Sequence, residues 1–308
     1  MSHAAEQTSH QGASTGPGTT TAGTALGAAL AGPLVSTQWL ADHLGAEGLV
    51  VLDASVVPAP GPDGRPVYGT GRVRHEEARI PGAGFADLLD AFSDPDGAHP
   101  FTRPSAQAFE AAATAAGIGP DTTVVVYDGA VGQWAARLWW LLRSFGHDRV
   151  AVLDGGSIAW TAEQRPVESG VAPVPAAAPF AAEERDGFWS DRSHVESVLA
   201  GERPATLICG MPPRDFAARH IPGSISAPAV RLVDRATNTV LPQAQLREVF
   251  ADVLASDDPV IAYCGAGIAA AADALALALL GRHDVTVYDG SLSEWVSDPA
   301  APLASLAA

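Results

Sequence analysis

The hydrophobic residues of this chain follow two kinds of pattern that alternate along most of its length. Short, continuously apolar runs predict buried strands, at 49–52, 122–127, 150–153, 205–208, 259–263 and 285–288. Predicted helices lie between and beside them, at 36–44, 105–117, 133–145, 190–199, 243–254 and 269–280. Buried strands that alternate with helices are typical of a parallel sheet covered on both faces, so the pattern predicts an α/β fold. A segment rich in proline and glycine, from Pro58 to Tyr68, is predicted to be a loop.

The same landmarks occur twice in the chain. Tyr127-Asp128-Gly129, at the end of one apolar run, is matched 136 residues later by Tyr263-Cys264-Gly265. Further pairs follow in the same order: Ile80-Pro81-Gly82 with Ile221-Pro222-Gly223, and Leu153-Asp154-Gly155 with Tyr288-Asp289-Gly290. A repeat of this length is far too long for a solenoid, and it indicates a duplicated domain.

The length of 308 residues is sufficient for two domains that each bury a core. We predict a first domain at 33–167 and a second domain at 189–300. The segment 168–188, rich in proline, alanine and glutamate, is predicted to be the linker between them. Residues 1–32, rich in serine, threonine, glycine and alanine, are predicted to be a disordered tail, and 301–308 a second tail.

Charge and cysteine content exclude several functional classes. All 18 basic residues are arginine, and the 35 acidic residues give a net charge of −17, which disfavours nucleic acid and anionic membranes as partners. No apolar run is long enough to span a membrane. Only Cys209 and Cys264 carry thiols, without a CxxC motif or a nearby histidine cluster, so we expect neither a metal site nor a cofactor. Two widely separated thiols fit a reducing cytoplasm.

Cys264 stands where a buried strand turns into a helix. The carboxyl ends of parallel strands face the crevice in which such sheets bind ligands. Residues Gly265, Ala266, Gly267, Ile268 and Ala269 would form a tight loop whose N–H groups, with the helix N-terminus, surround the sulfur. This anion cradle would stabilise the thiolate and make Cys264 a nucleophile. The alternative is an inert core thiol, which is the interpretation we favour for Cys209 inside its apolar strand.

With these motifs in view, residues 34–300 resemble the tandem-domain rhodanese family, which contains thiosulfate and 3-mercaptopyruvate sulfurtransferases. The resemblance rests on the Cys264 loop, both Ile-Pro-Gly elements and the Arg137-Leu138-Trp139-Trp140 stretch. It implies two rhodanese-like domains, each a mostly parallel sheet with helices on both faces, and a first domain made inactive by Asp128. It further implies that Cys264 takes sulfur from a small-molecule donor as a persulfide and passes it to cyanide, a thiol or a thioredoxin-like acceptor. A sulfur carrier or binding module with little turnover is the alternative.

The donor depends on the neighbours of Cys264. The uncharged loop resembles the mercaptopyruvate type more than the thiosulfate type, although Ala266 and Ala269 replace that type's serine and threonine. The family histidine aligns with Phe101, so His99 is the nearby substitute. Related phosphatases need an arginine six positions after the cysteine, where this chain has Ala270; phosphate or arsenate chemistry is therefore disfavoured.

Two arginines are candidates for binding the anionic group of the donor. The family places such arginines before the second Ile-Pro-Gly element, and this chain lacks the Pro-Glu-Pro-Arg insertion found there. Arg214 and Arg219 remain in the shortened segment, and their planar guanidinium groups suit a carboxylate or sulfonate. Surface charge, or an ion pair with Asp215, is the alternative interpretation for both.

Overall fold

The computed structural model describes Met1, Leu26 and residues 30–61, 66–172 and 176–306. In chain order the first half contains β1 (Leu34–Val35), α1 (Thr37–His43), β2 (Leu49–Asp53), β3 (Val56–Pro60), β4 (Pro66–Thr70), α2 (Arg72–Glu77), β5 (Gly84–Phe85), α3 (Ala106–Ala115), β6 (Thr123–Tyr127), α4 (Gln133–Ser144), β7 (Val150–Leu153) and α5 (Gly156–Ala162). Strands β1, β7, β6, β2 and β5 form a five-stranded sheet in which every pair is parallel.

The second half repeats this arrangement. It contains β8 (Trp189–Ser190), α6 (Arg192–Leu199), β9 (Thr206–Cys209), α7 (Pro213–Ala218), β10 (Ile225–Ser226), a 3-10 turn (Ala229–Arg231), α8 (Gln243–Val249), α9 (Ala251–Leu254), β11 (Val260–Tyr263), α10 (Ile268–Leu279), β12 (Val285–Tyr288) and α11 (Ser291–Trp295). Its five strands lie in the order β8, β12, β11, β9, β10, and every pair is parallel. This order is equivalent, strand for strand, to the order β1, β7, β6, β2, β5 of the first sheet. The predicted α/β architecture with a duplicated sheet is confirmed.

Both faces of the first sheet are buried because its strands are apolar at consecutive positions. In β6, Val124 and Val126 belong to the large core cluster, whereas Val125 and Tyr127 face a smaller cluster on the opposite side. Side chains alternate between the faces of a strand, so a continuous apolar run fills two cores at once. The pattern that predicted the strands is therefore also the reason that helices cover both faces.

The prediction of a loop from Pro58 to Tyr68 is wrong. Strands β3 and β4 pair antiparallel as a ribbon, with Val56 opposite Thr70 and Pro58 opposite Tyr68. A two-stranded ribbon consists only of edges, so prolines that lack an N–H are tolerated in it. Residues 62–65, between the strands, lie outside the described residues.

The predicted helix at 243–254 is divided in the structure. Helix α8 ends at Val249 and α9 begins at Ala251, because the backbone of Phe250 leaves the helical region (φ −100°, ψ 19°). The Phe250 side chain is fully buried, so the change in direction lets the ring enter the core. Tertiary packing here outweighs a continuous helical pattern.

The chain ends and the linker carry local contacts. Residues 2–25, 27–29, 173–175 and 307–308 fall within predicted tails or the linker and outside the described residues, so the predicted domain boundaries stay predictions. Within the linker, Glu168 exchanges two backbone hydrogen bonds with Arg79. Near the end of the chain, Ala304 exchanges two backbone hydrogen bonds with His220.

In the described part of the chain, no helix has the length and apolar character needed to cross a membrane.

Candidate active site

Cys264 follows the central strand β11, and its backbone is fixed on both sides. Its N–H donates to the Ser291 hydroxyl at 3.1 Å, and its carbonyl accepts from the Leu292 N–H at 3.0 Å. The next carbonyl, of Gly265, accepts from both the N–H and the hydroxyl of Ser293. The Cys264 side chain is only 3% exposed. The first turn of α11, which follows β12, thus holds the cysteine in a defined position at the carboxyl edge of the sheet.

Gly267 is required by the geometry of the cysteine loop. Its φ of +75° lies in the left-handed region, immediately before α10 begins at Ile268. A β-carbon on Gly267 would lie 2.9 Å from the Asp289 carbonyl oxygen and 3.1 Å from Arg137 Nη1. Both the backbone angle and the lack of space exclude a side chain. The predicted role of this glycine in a tight loop agrees with its surroundings.

The first-domain copy of the loop encloses a buried carboxyl group. Asp128 is fully buried, and its carboxylate accepts four backbone hydrogen bonds. Oδ1 accepts from Ala130 (2.8 Å) and Gly132 (3.1 Å), and Oδ2 from Trp134 (2.9 Å) and Ala135 (3.0 Å). Burial raises the pKa of the Asp128 carboxyl, and the four N–H donors oppose that effect. This loop geometry therefore surrounds an acceptor with N–H groups from four sides.

The loop around Cys264 has a similar backbone plan. Gly132 and Gly267 both have a left-handed backbone directly before a helix of twelve residues, although the turn after Cys264 is one residue shorter than the turn after Asp128. When the two helix starts are aligned, the donors Gly132, Trp134 and Ala135 correspond to Gly267, Ala269 and Ala270. Ala270 was not among the residues predicted for the cradle. Only the loop around Asp128 reveals it, because a donor in the first helical turn carries no side-chain signal.

A buried arginine from the first domain reaches the cysteine loop. Arg137 is 1% exposed, and its Nη2 donates to the Phe101 carbonyl (2.7 Å) and to Asp289 Oδ1 (2.6 Å). Its Nε and Nη1 have no hydrogen-bond partner among the described residues, and Nη1 is the atom that approaches Gly267. Helices α4 and α10 pack against each other, which brings this guanidinium between the domains. From the sequence, Arg137 could be recognised only as part of a motif, because its burial depends on the other domain.

Arg214 and Arg219 lie on the surface. Arg214 is in the short helix α7 and Arg219 directly follows it, and both side chains are exposed. Neither guanidinium group forms a hydrogen bond or an ion pair with any residue the structure describes, although the Arg219 backbone N–H donates to the Asp215 carbonyl oxygen. The alternative of an ion pair with Asp215 therefore finds no side-chain contact. They are available to an anionic ligand, but nothing in the geometry links them to Cys264. Their role in donor binding stays a prediction.

The internal symmetry places Phe101, rather than His99, towards the cysteine loop. Phe101 has a left-handed φ of 61°, and its equivalent in the second domain is Asn238, with the same angle. Asn238 Nδ2 donates to the carbonyl oxygens of Ala130 (2.7 Å) and Gly155 (3.1 Å) beside the Asp128 loop. Phe101 is buried, whereas His99 is partly exposed and contributes its carbonyl oxygen to a local turn. A catalytic role for His99 stays a prediction that this geometry does not favour.

Tyr68 is a site residue that sequence reasoning missed. It belongs to β4 of the ribbon, and its ring centroid lies 5.0 Å from that of Phe101 and 5.9 Å from that of Trp134. Burial raises the pKa of the Tyr68 phenol, and the nearby charge of Cys264 raises it further. The segment was predicted to be a loop, so no pattern indicated that it carries a side chain to the cysteine.

Cys209 has the surroundings of a structural thiol. It ends strand β9, is fully buried, and burial raises its pKa to about 12. A thiol with so high a pKa stays protonated and is a poor nucleophile near neutral pH. The environment therefore supports the interpretation made from the sequence. It leaves Cys264 as the candidate for chemistry.

Asp273 in α10 has a buried carboxyl group without a hydrogen-bond donor in the described part of the structure. It is fully buried, and neither carboxyl oxygen has a hydrogen-bond partner among the described residues. Burial raises its pKa well above the ordinary value, so the folded protein keeps it protonated. The unfolded chain ionises it above about pH 4, which stabilises the unfolded state as pH rises.

Asp273→Ala is therefore expected to stabilise the protein increasingly as pH rises. The gain in free energy of unfolding relative to the parent should grow by about 1.4 kcal/mol per pH unit from about pH 4 up to the folded-state pKa. Urea unfolding at pH 5, 6 and 7 measures this slope, whatever the fixed cost of the smaller side chain. Asp257→Ala, at an exposed carboxyl group, is the matched control measured in the same series. A pH-independent difference for Asp273→Ala would mean that the carboxyl group is ionised in the folded state.

Comparison with known proteins identifies relatives over both halves of the chain. A model of the rhodanese-like domain matches residues 36–163 and 200–298. The thiosulfate/3-mercaptopyruvate sulfurtransferase 1, mitochondrial, of Arabidopsis thaliana is 34% identical over 307 residues, covering 89% of this chain and 78% of that protein. Human 3-mercaptopyruvate sulfurtransferase is 34% identical over 280 residues, covering 85% and 91%. The crystal structure of a 3-mercaptopyruvate sulfotransferase from Escherichia coli superposes with a TM-score of 0.75 at 29% identity, covering 84% of this chain and 98% of that chain.

Proposed function

The chain belongs to the rhodanese-like family and is a sulfurtransferase, and from that premise we propose that Cys264 carries the transferred sulfur as a persulfide. The observation that supports this proposal is the similarity between the loop around Asp128 and the loop around Cys264. The loop around Asp128 binds a buried carboxylate with four N–H groups, and the loop around Cys264 repeats its backbone plan with a thiol at the same position. A persulfide anion needs the same kind of support as that carboxylate.

The proposed reaction has two steps. In the first, the Cys264 thiolate attacks the outer sulfur of the donor; a sulfur–sulfur bond forms, and the electron pair of the broken bond leaves with the rest of the donor. The cradle N–H groups then hold the charge of the persulfide. In the second, an acceptor such as cyanide, a thiol or a thioredoxin-like protein attacks the outer sulfur, and the electron pair returns to Cys264 as thiolate. Ping-pong kinetics follow from the covalent intermediate.

We propose 3-mercaptopyruvate as the better donor and thiosulfate as the weaker one. Gly265, Ala266 and Gly267 bring no charge to the sulfonate of thiosulfate. Arg214 and Arg219 are candidates for contacting the donor's anionic group at the rim. The named relatives include proteins described for both donors, which is compatible with either order.

One feature favours a second candidate function. Ala266, Ala269 and Phe101 stand where the resemblance leads us to expect a serine, a threonine and a histidine. A site without those groups could accept sulfur readily and release it slowly. The second candidate is therefore a sulfur carrier or binding module with little turnover.

The test is to treat the full-length protein with each donor and to measure the mass added. We expect one sulfur, about 32 Da, on the peptide that contains Cys264 and none on the peptide that contains Cys209. Cys209→Ala, at the buried thiol, serves as a control that should load sulfur normally. Failure to load from either donor, or loading on Cys209, would refute the persulfide proposal. Faster loading from thiosulfate than from 3-mercaptopyruvate would refute only the donor order, and cyanide turnover separates the enzyme from the carrier.

A further inference from the structure

The β3–β4 ribbon carries a tyrosine of the inactive domain to the cysteine loop. Along β4, Val67 is exposed and Tyr68 turns inward, as the alternation of a strand requires. The Tyr68 ring packs edge-on against Phe101 and Trp134, with centroid distances of 5.0 and 5.9 Å. Edge-to-face contacts of this kind fix the orientation of a ring. The Tyr68 ring is therefore held in place by Phe101 and Trp134, and its side chain stays partly exposed to solvent.

The internal symmetry of the two domains places the aromatic wall formed by Tyr68, Phe101 and Trp134 beside the cysteine loop. Phe101 is equivalent to Asn238, whose amide contacts the carbonyl oxygen of Ala130, and Ala130 is equivalent to Ala266 of the cysteine loop. The Phe101 carbonyl accepts from Arg137, the arginine that approaches Gly267. A ring that packs on Phe101 consequently lies at the entrance to the sulfur.

The phenol group of Tyr68 has an unused hydrogen-bond donor. Its oxygen forms no hydrogen bond with the described residues. Burial, and then the charge of Cys264, raises its pKa, so the hydroxyl keeps its proton near neutral pH and can donate it. The neighbouring positions Ala266, Ala269 and Phe101 supply no side-chain donor. An anionic group that reaches Cys264 therefore meets the Tyr68 hydroxyl on a wall that is otherwise apolar.

We propose that Tyr68 is a further substrate-contacting residue, whose hydroxyl donates a hydrogen bond to the carboxylate or sulfonate of the molecule that reacts at Cys264. The ring, together with Phe101 and Trp134, excludes water from one side of that molecule, which strengthens the hydrogen bond. The contact would align the anion while the adjacent sulfur is attacked. The natural identity of that anion rests on the proposed function, but the contact itself requires only an anion beside the thiolate.

Two alkylating reagents that differ in one group test the contact. Iodoacetate and iodoacetamide react with Cys264 by the same displacement, but only iodoacetate presents a carboxylate. Tyr68→Phe, which keeps the ring and removes the hydroxyl, should slow carboxymethylation by about tenfold and leave the iodoacetamide rate within about twofold. Val67→Thr, on the exposed face of the same strand, should change neither rate. Equal changes with both reagents, or no change, would overturn the proposal.

The enzymatic assay adds an independent outcome. If the protein transfers sulfur, Tyr68→Phe should raise the KM for 3-mercaptopyruvate by about tenfold and leave the unfolding temperature unchanged. If the protein forms no persulfide, the proposed function fails, yet the ratio of the two alkylation rates still decides whether Tyr68 contacts an anion. An unchanged KM in an active protein, together with an unchanged ratio, excludes a role for the hydroxyl.

Discussion

Cys264→Ser is expected to lower sulfur-transfer turnover by at least about a thousandfold with either donor. The serine hydroxyl stays protonated near neutral pH and does not form a stable bond to the transferred sulfur, so both steps lose their intermediate. The steric change is small, because oxygen replaces sulfur in a residue that is 3% exposed and whose backbone N–H is held by Ser291. The measurement is cyanide-dependent turnover at saturating donor, with the unfolding temperature recorded alongside.

The control for this prediction is the other thiol. Cys209→Ala removes a group whose pKa is raised to about 12 by burial, so turnover should stay within about threefold of the parent, although stability can fall because a buried atom is lost. Substantial turnover in Cys264→Ser would require another nucleophile and would refute the mechanism. Substantial loss in Cys209→Ala, with the fold intact, would show that the strand thiol takes part.

The first domain contributes residues to the surroundings of the cysteine loop in the second domain. Arg137 of this domain approaches Gly267 of the cysteine loop, the Phe101 carbonyl accepts from Arg137, and the Tyr68 ring packs on Phe101. Asp289 of the second domain binds Arg137 and the Arg103 N–H, and Asp154 of the first accepts from the Val240 N–H in return. The duplicated contacts dock the domains face to face. Contacts from the first domain thus shape the surroundings of Cys264 in the second.

The sequence predicted the parts of the fold that depend on local pattern. The apolar runs that became β2, β6, β7, β9, β11 and β12 are buried on both faces, so burial and pattern agree. The duplication was predictable because both copies keep the same landmarks in the same order. Cys264 was predictable as a candidate because it follows such a run and precedes glycines.

The remaining parts depend on contacts between distant segments. The ribbon was missed because its prolines usually mark a loop, and only pairing of β3 with β4 makes them compatible with a strand. The backbone of Phe101 is left-handed, a conformation that a sequence normally predicts only at glycine. The position of the Phe101 ring was therefore not predictable. Arg137 is buried against the other domain, and a charged residue inside a helix is ordinarily predicted to be exposed. Each miss is a case in which tertiary contacts outweigh a local preference.

Asp128→Ala is expected to destabilise the protein by about 3–5 kcal/mol. The variant removes the acceptor for four N–H groups, each of which lies in a loop or first helical turn with no alternative partner inside the helix. One buried, unsatisfied donor costs about 1–3 kcal/mol, and water that enters the cavity recovers part of the sum. Chemical unfolding at pH 7 measures the loss. Asp121→Ala, at an exposed carboxylate of the same domain, should cost less than about 0.5 kcal/mol.

Asp128→Cys separates the cradle's preference for an anion from its need for any side chain. A thiolate at this position can accept hydrogen bonds from the same N–H groups that hold the Asp128 carboxylate, so this variant should lose less stability than Asp128→Ala, and the difference should widen as pH rises and the thiol ionises. The Asn238 amide bonds to both neighbouring turns and covers the loop, so alkylation at position 128 should be slow even though the backbone resembles that of Cys264. Equal stability losses for the alanine and cysteine variants at all pH values would show that the loop does not favour an anion. The same result would remove the main support for a persulfide cradle at Cys264, because that support is inferred from the shared geometry.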